Sequence, residues 1–212
     1  MDRRELLKMV ALLTGGVVIG GDVFLSGCKT ATKTDVGFTA SNISLLDEIG
    51  ETIIPATATP GAKAAKVGDF MKIMVTDAYT PSQQAVFTKG ISDLEEACKK
   101  ANSKSFTECT PQQRHDFLVG LEKEAKEYNT KRDVDEKPLR EANEQKNSTI
   151  SWKDQKQFDS APSHYYTMMK QLTLLGFFTS KTGMTETLRH IPVPGKYDGA
   201  FPYAKGDKAW AE

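Results

Sequence analysis

Apolar residues recur every three or four positions in five separate stretches of the chain, which is the spacing of an amphipathic helix. Two of these stretches open with a threonine followed by a proline, Thr80 with Pro81 and Thr110 with Pro111, a common way for a helix to begin. A shorter helix is expected at residues 184–189, and no stretch has the alternation of a convincing strand. The pattern therefore predicts an all-α fold, a small bundle of about five to six helices.

Two regions depart from this pattern. Residues 131–157 are dense in charged and amide side chains, and we expect either a mobile excursion or an exposed helix there. Near the end of the chain, Pro192 and Pro194 restrict the residues before them to extended backbone. The bundle is therefore expected to carry an irregular C-terminal segment rich in proline and glycine.

The first 28 residues are typical of an export signal. Arg3 and Arg4 precede an apolar stretch that four glycines and Asp22 interrupt, so it is marginal as a permanent membrane span. The paired arginines resemble a twin-arginine signal, and the LSGC sequence ending at Cys28 resembles a bacterial lipobox, which implies lipid on Cys28. The alternative is an N-terminal anchor helix with a buried cysteine.

These features divide the chain into a signal peptide at residues 1–27, a lipid-anchored flexible tether at 28–40 and one domain at 41–212. The location predicted is the periplasm, on a membrane that can be the inner or the outer one. The remaining cysteines, Cys98 and Cys109, are a candidate disulfide in an oxidising compartment, and two free buried thiols are the alternative.

Composition and motifs give little sign of chemistry. The 28 basic residues equal the 28 acidic ones and form no basic stripe, which argues against nucleic-acid binding. Asp47, Glu48 and Glu51 share a predicted helix and are expected to form a solvated face. The histidines lie on different elements: His115, His164 and His190. We therefore expect no catalytic, cofactor-binding or metal-binding residue in this chain.

Two loop regions instead combine proline, glycine and threonine in an unusual way. One carries the sequence ETIIPATATPGA at residues 51–62, and the other carries GFFTS at 176–180 followed by LRHIPVPG at 188–195. They are expected to shape the bundle, to present a preformed surface to a partner, or both. The candidate interface residues are Ile54, Pro55, Pro60, Gly61, Phe177, Phe178, Arg189, Pro192, Pro194, Gly195 and Tyr197.

These two regions resemble the signature segments of the gluconate 2-dehydrogenase subunit 3 family, and the resemblance covers roughly residues 43–75 and 168–197. It implies a non-catalytic small subunit whose partner is an FAD-dependent large subunit of the glucose-methanol-choline type, with a cytochrome c subunit as a possible further partner. FAD is expected in the large subunit. The small subunit is expected to escort, stabilise and tether that partner.

Two other functions remain open at this point. The chain can be a free-standing periplasmic scaffold or binding lipoprotein whose resemblance reports fold alone. It can also be an enzyme in its own right, in which His115 or His190 works with a nearby carboxylate.

Overall fold

The computed structural model describes residues 36–193, 195, 198–202 and 204–211. The predicted signal and lipid residues Arg3, Arg4 and Cys28 lie outside this part, as do Pro194 and Tyr197. Its helices are α1 (Ala40–Ile53), α2 (Val67–Ala78), α3 (Pro81–Asn102), α4 (Pro111–Ser148) and α5 (Tyr165–Phe178), with a 3₁₀ turn at Phe106–Glu108 and a π-helical turn at Gly183–Thr187. The described residues contain no strand beyond one isolated bridge, so the all-α prediction is confirmed.

The predicted starts of α3 and α4 are confirmed by matching capping boxes. The Thr80 hydroxyl accepts a hydrogen bond from the backbone N–H of Gln83, and the Gln83 side-chain oxygen accepts one from the N–H of Thr80. Thr110 and Gln113 repeat the arrangement at α4. Because both caps are reciprocal, each satisfies two backbone donors that the helix itself cannot pair.

The core lies where α1, α2 and α5 meet and extends to α3 and the first half of α4. Its largest fully buried side chains include Phe87, Phe106, Phe177, Leu46 and Met169. Val36 and Phe38 pack against this core, and the Phe38 and Phe87 ring centroids are 6.1 Å apart. The folded domain therefore begins before the predicted boundary at residue 41.

Helix α4 runs on to Ser148, well past the point where its apolar positions stop. Beyond that point, one face of the helix forms hydrogen bonds with residues 156–163, which run back beside it. Glu136 accepts hydrogen bonds from the hydroxyl of Ser160 and from the N–H of Ala161, and these bonds lower the pKa of Glu136. Residues 131–157 are thus a helix up to Ser148, followed by an irregular return segment.

His164 occupies the N-cap of α5. It is 8% exposed, and its Nδ1 accepts a hydrogen bond from the backbone N–H of Tyr166. Burial lowers the pKa of His164. A ring nitrogen that accepts carries no proton, so His164 serves the fold as a neutral helix cap.

Helix α3 passes α5 closely at Gly90. A Cβ atom at Gly90 would lie 2.3 Å from both Cβ and Cγ of Tyr165, whereas one at Gly120 in α4 would meet nothing within 4 Å. Both glycines lie inside helices, so they form a matched pair that differs only in the space around them.

We predict that Gly90→Ala destabilises the domain by about 1–3 kcal/mol, because the extra methyl forces Tyr165 out of its place. Gly120→Ala should stabilise it by about 0.5–1 kcal/mol, since alanine loses less backbone freedom in a helix. Chemical denaturation of the two variants measures the difference. Equal effects would contradict the close helix crossing at Gly90.

Candidate partner-docking surface

The loop that follows α1 is fixed by a carboxylate of that helix. Glu51 Oε1 accepts from the N–H of Ala56 at 2.8 Å, and Glu51 Oε2 accepts from the N–H of Lys63 at 2.8 Å. A Cβ atom at Gly61 would lie 2.4 Å from the Glu51 carboxylate. The glycine therefore makes room for the side chain that holds both ends of the loop.

Asp47 fixes the far end of the same loop. The N-cap residue of α2, Lys66, has left-handed backbone with φ 54° and makes no side-chain cap. Asp47 Oδ1 replaces that cap from α1, since it accepts from the N–H of Gly68 at 2.8 Å. Burial raises the pKa of Asp47, and the bond from Gly68 opposes the shift without cancelling it.

Glu48 connects the loop to α4. It pairs with Lys63 and with Arg114, whose guanidinium also donates to the carbonyl oxygens of Phe106 and Thr107 at 3.0 and 2.6 Å. Burial alone would raise the pKa of Glu48, but the bonds from Lys63 and Arg114 outweigh it and lower that pKa. The expectation that these carboxylates form a solvated face was therefore wrong, because each one binds a specific part of the loop or of the 3₁₀ turn.

Within this loop the predicted interface residues differ in exposure. Pro55 is exposed, Ile54 and Pro60 are half-buried, and Gly61 is buried. Ile54 also packs against the core. The loop can therefore present Pro55 and its neighbours on a rigid frame, while Gly61 acts only through the shape it permits.

Two adjacent aromatic residues at the end of α5 differ in their exposure to solvent. Phe177 is fully buried, whereas Phe178 is 41% exposed, and their ring centroids are 5.1 Å apart. Phe177 was predicted to contact a partner, but its ring fills the core and is not accessible to one. Phe178 remains on the outside.

Arg189 is engaged by the end of the chain. Its guanidinium carbon lies 4.8 Å from the ring centroid of Trp210 and 5.5 Å from that of Phe201. Its N–H donates to the carbonyl of Ala209, and its own carbonyl accepts from the N–H of Ala211. Arg189 was predicted to contact a partner, but it packs instead against residues 201–211 of its own chain. Pro192 and Gly195 beyond it are exposed.

The outward side of α5 carries an apolar surface, of which the sequence analysis singled out only Phe178. Leu174 and Phe178 are one turn apart, and with Leu175 they are each more than a third exposed. On the inner side, the Phe70 ring of α2 packs where a Cβ of Gly176 would be. We call Leu174, Leu175 and Phe178 the α5 face. Large apolar side chains that lie together on an exposed helix face fit a docking surface.

The described residues offer little for chemistry. No group of three His, Cys, Asp or Glu side chains among them is placed to hold a metal ion. His164 is committed to its cap, while His115 and His190 are exposed on separate elements. In the same part of the chain, every helix is too short or too polar to cross a bilayer.

A family model described as Gluconate 2-dehydrogenase subunit 3 matches residues 40–195, which is more than half of the chain. The match includes the loop after α1, the α5 face and Arg189. Comparison with curated proteins and with solved structures gave no match.

The loop geometry generates a prediction for Glu51. Glu51→Ala should free the N–H groups of Ala56 and Lys63, so hydrogen exchange at these two amides should rise about tenfold, as expected for the loss of about 1–1.5 kcal/mol per bond. Glu96→Ala, which removes an exposed carboxylate from α3, is the control and should leave both amides protected. Unchanged exchange in Glu51→Ala would show that the loop is held by other contacts.

Proposed function

The chain belongs to the gluconate 2-dehydrogenase subunit 3 family, and we propose that it is the non-catalytic subunit that escorts, stabilises and tethers the flavin-containing large subunit of a sugar or alcohol dehydrogenase. The observation that carries the proposal is the family match over residues 40–195. A family of third subunits belongs to a complex with other subunits, so a partner chain is part of the function.

The large subunit is proposed to be of the glucose-methanol-choline type and to hold FAD. It would oxidise the substrate and pass electrons onward, with a cytochrome c subunit as acceptor. No step of that chemistry needs a residue of this chain. This chain would contribute a docking surface and an export signal.

The surface is proposed to be the α5 face, together with exposed parts of the two loop regions. Leu174, Leu175 and Phe178 would enter the interface as apolar anchors. Pro55 and Pro192 lie on the two loop regions that carry the family resemblance, and both are exposed. Because the loop after α1 is held by Glu51 and Asp47, it loses little conformational freedom when a partner binds.

The export signal is proposed to lie at the N-terminus. Arg3 and Arg4 would direct the chain to the twin-arginine route, which carries folded proteins, and the bound flavoprotein would cross with it. Lipid on Cys28 would then hold both proteins at the membrane, because two or three acyl chains suffice for stable anchoring.

The docking surface is tested by replacing Leu174 and Phe178 with glutamate. We expect the double variant to bind the co-expressed flavoprotein at least about 30-fold more weakly, since two buried anchors are each worth about 1–2 kcal/mol or more. Leu139→Glu with Val134→Glu is the matched control, because these residues are also exposed and apolar but lie on the far half of α4. Circular dichroism should show native helix content in both variants.

Equal binding by the test and control variants would place the interface elsewhere. No binding of any flavoprotein by the unaltered chain would instead favour the free-standing periplasmic lipoprotein.

The export role is tested by Arg3→Lys with Arg4→Lys. Both the chain and the flavoprotein should remain in the cytoplasm, as fractionation and immunoblotting would show. Cys28→Ser is the companion variant: both proteins should be exported but recovered in the soluble periplasmic fraction. Normal export of the flavoprotein in the arginine variant would contradict the escort role.

A further inference from the structure

Two buried thiols meet at the corner between α3 and α4. Cys98 lies in the last turns of α3, and Cys109 lies between the 3₁₀ turn and the cap of α4. Both cysteines are free and buried, and their sulfur atoms are 3.7 Å apart. A disulfide bond is about 2.0 Å long, so a small movement of the loop is enough to join them.

We propose that Cys98 and Cys109 form a disulfide after export, that Cys109 is the thiol that reacts first with the oxidant, and that the bridge locks the corner that the 3₁₀ turn forms. This proposal concerns a covalent site of the isolated chain. It rests on the proposed export to an oxidising compartment but does not depend on the proposed large subunit.

The reaction is a thiol–disulfide exchange with a disulfide oxidant. The thiolate of Cys109 attacks one sulfur of the oxidant and expels the other as a thiolate, which leaves a mixed disulfide on Cys109. The thiolate of Cys98 then attacks the Cys109 sulfur and expels the second half of the oxidant. The two cysteines lose two protons and two electrons, and the oxidant gains them as two thiols.

The order follows from where each thiol lies. Cys98 is inside a helix and has no exposed surface, whereas Cys109 is in a short loop and is 4% exposed. Loops open more readily than helix interiors, so an oxidant reaches Cys109 first. Burial also raises the pKa of Cys98 to about 11, so a smaller fraction of Cys98 is present as the reactive thiolate.

The disulfide would restrain the turn between α3 and α4, on which other contacts depend. Phe106, in the 3₁₀ turn, is fully buried, and the carbonyl oxygens of Phe106 and Thr107 accept from Arg114. Arg114 in turn binds Glu48 on α1. A bond from Cys109 to α3 therefore restrains the turn on which the contact between α1 and α4 rests.

The test uses the full chain carrying Cys28→Ser, in which Cys98 and Cys109 are the only thiols. Incubation with oxidised glutathione should reduce the thiol count after denaturation from two to none, with the intact mass lower by two hydrogen atoms. The Tm should rise by about 5–10 °C, as expected for a loop of this length in a domain of this size. Cys98→Ala and Cys109→Ala variants should show no such rise, which controls for other oxidation.

The same two variants test the order. With Cys98→Ala, the remaining Cys109 should capture glutathione at least about tenfold faster than Cys98 does in the Cys109→Ala variant. Two thiols retained by the oxidised parent, or bridges between molecules in place of the internal one, would overturn the disulfide. Faster capture at Cys98 would overturn the proposed order.

Discussion

The carboxylate of Glu48 is the contact on which the arrangement of the first half of the domain depends. It joins α1 to the loop through Lys63 and to α4 through Arg114. The guanidinium of Arg114 is satisfied in three directions, by Glu48 and by the carbonyls of Phe106 and Thr107. A lysine would not reproduce this arrangement, because its donors share one nitrogen, whereas Arg114 uses three separate nitrogens of a planar group. Removal of Glu48 would leave the half-buried guanidinium of Arg114 without a counter-charge, which is the expensive case, whereas removal of Arg114 would still leave Glu48 paired with Lys63.

The helices were predictable where apolar spacing and capping residues agreed. The starts of α3 and α4 needed only the threonine and proline at each cap, and the structure adds the glutamine three residues later. The far half of α4 was beyond this reasoning, because the stripe that holds it is polar. Arg132, Glu136 and Asn147 bond to the returning chain at residues 156–163 and bury almost no apolar surface. This half of the helix also contains Pro138, a residue that usually ends or kinks a helix.

The sequence predicted a docking surface in two loop regions, and that prediction stays untested. The repeated proline, glycine and threonine pointed to these loops, but part of that signal has an internal cause. Gly61 makes room for Glu51, Phe177 fills the core, and Arg189 stacks between two rings of its own tail. Leu174 and Leu175 were not predicted as interface residues, because α5 has so many apolar residues that the sequence alone does not show which of them stay exposed. The packing of Phe70 against Gly176 identifies the inner side of the helix, and packing is a property of the folded chain.

These observations together explain why a small subunit of this kind would travel with its partner. The contacts that shape the loop after α1, from Asp47 to Gly68 and from Glu51 to Ala56, are all internal, so the docking side can form before any partner arrives. The cost is an uncovered apolar strip at Leu174, Leu175 and Phe178, which favours association with whatever apolar surface is available. In the proposed function, a partner that covers this strip in the cytoplasm would remove that hazard before export. Binding and export would then be coupled by one helix face as well as by the proposed signal at Arg3 and Arg4.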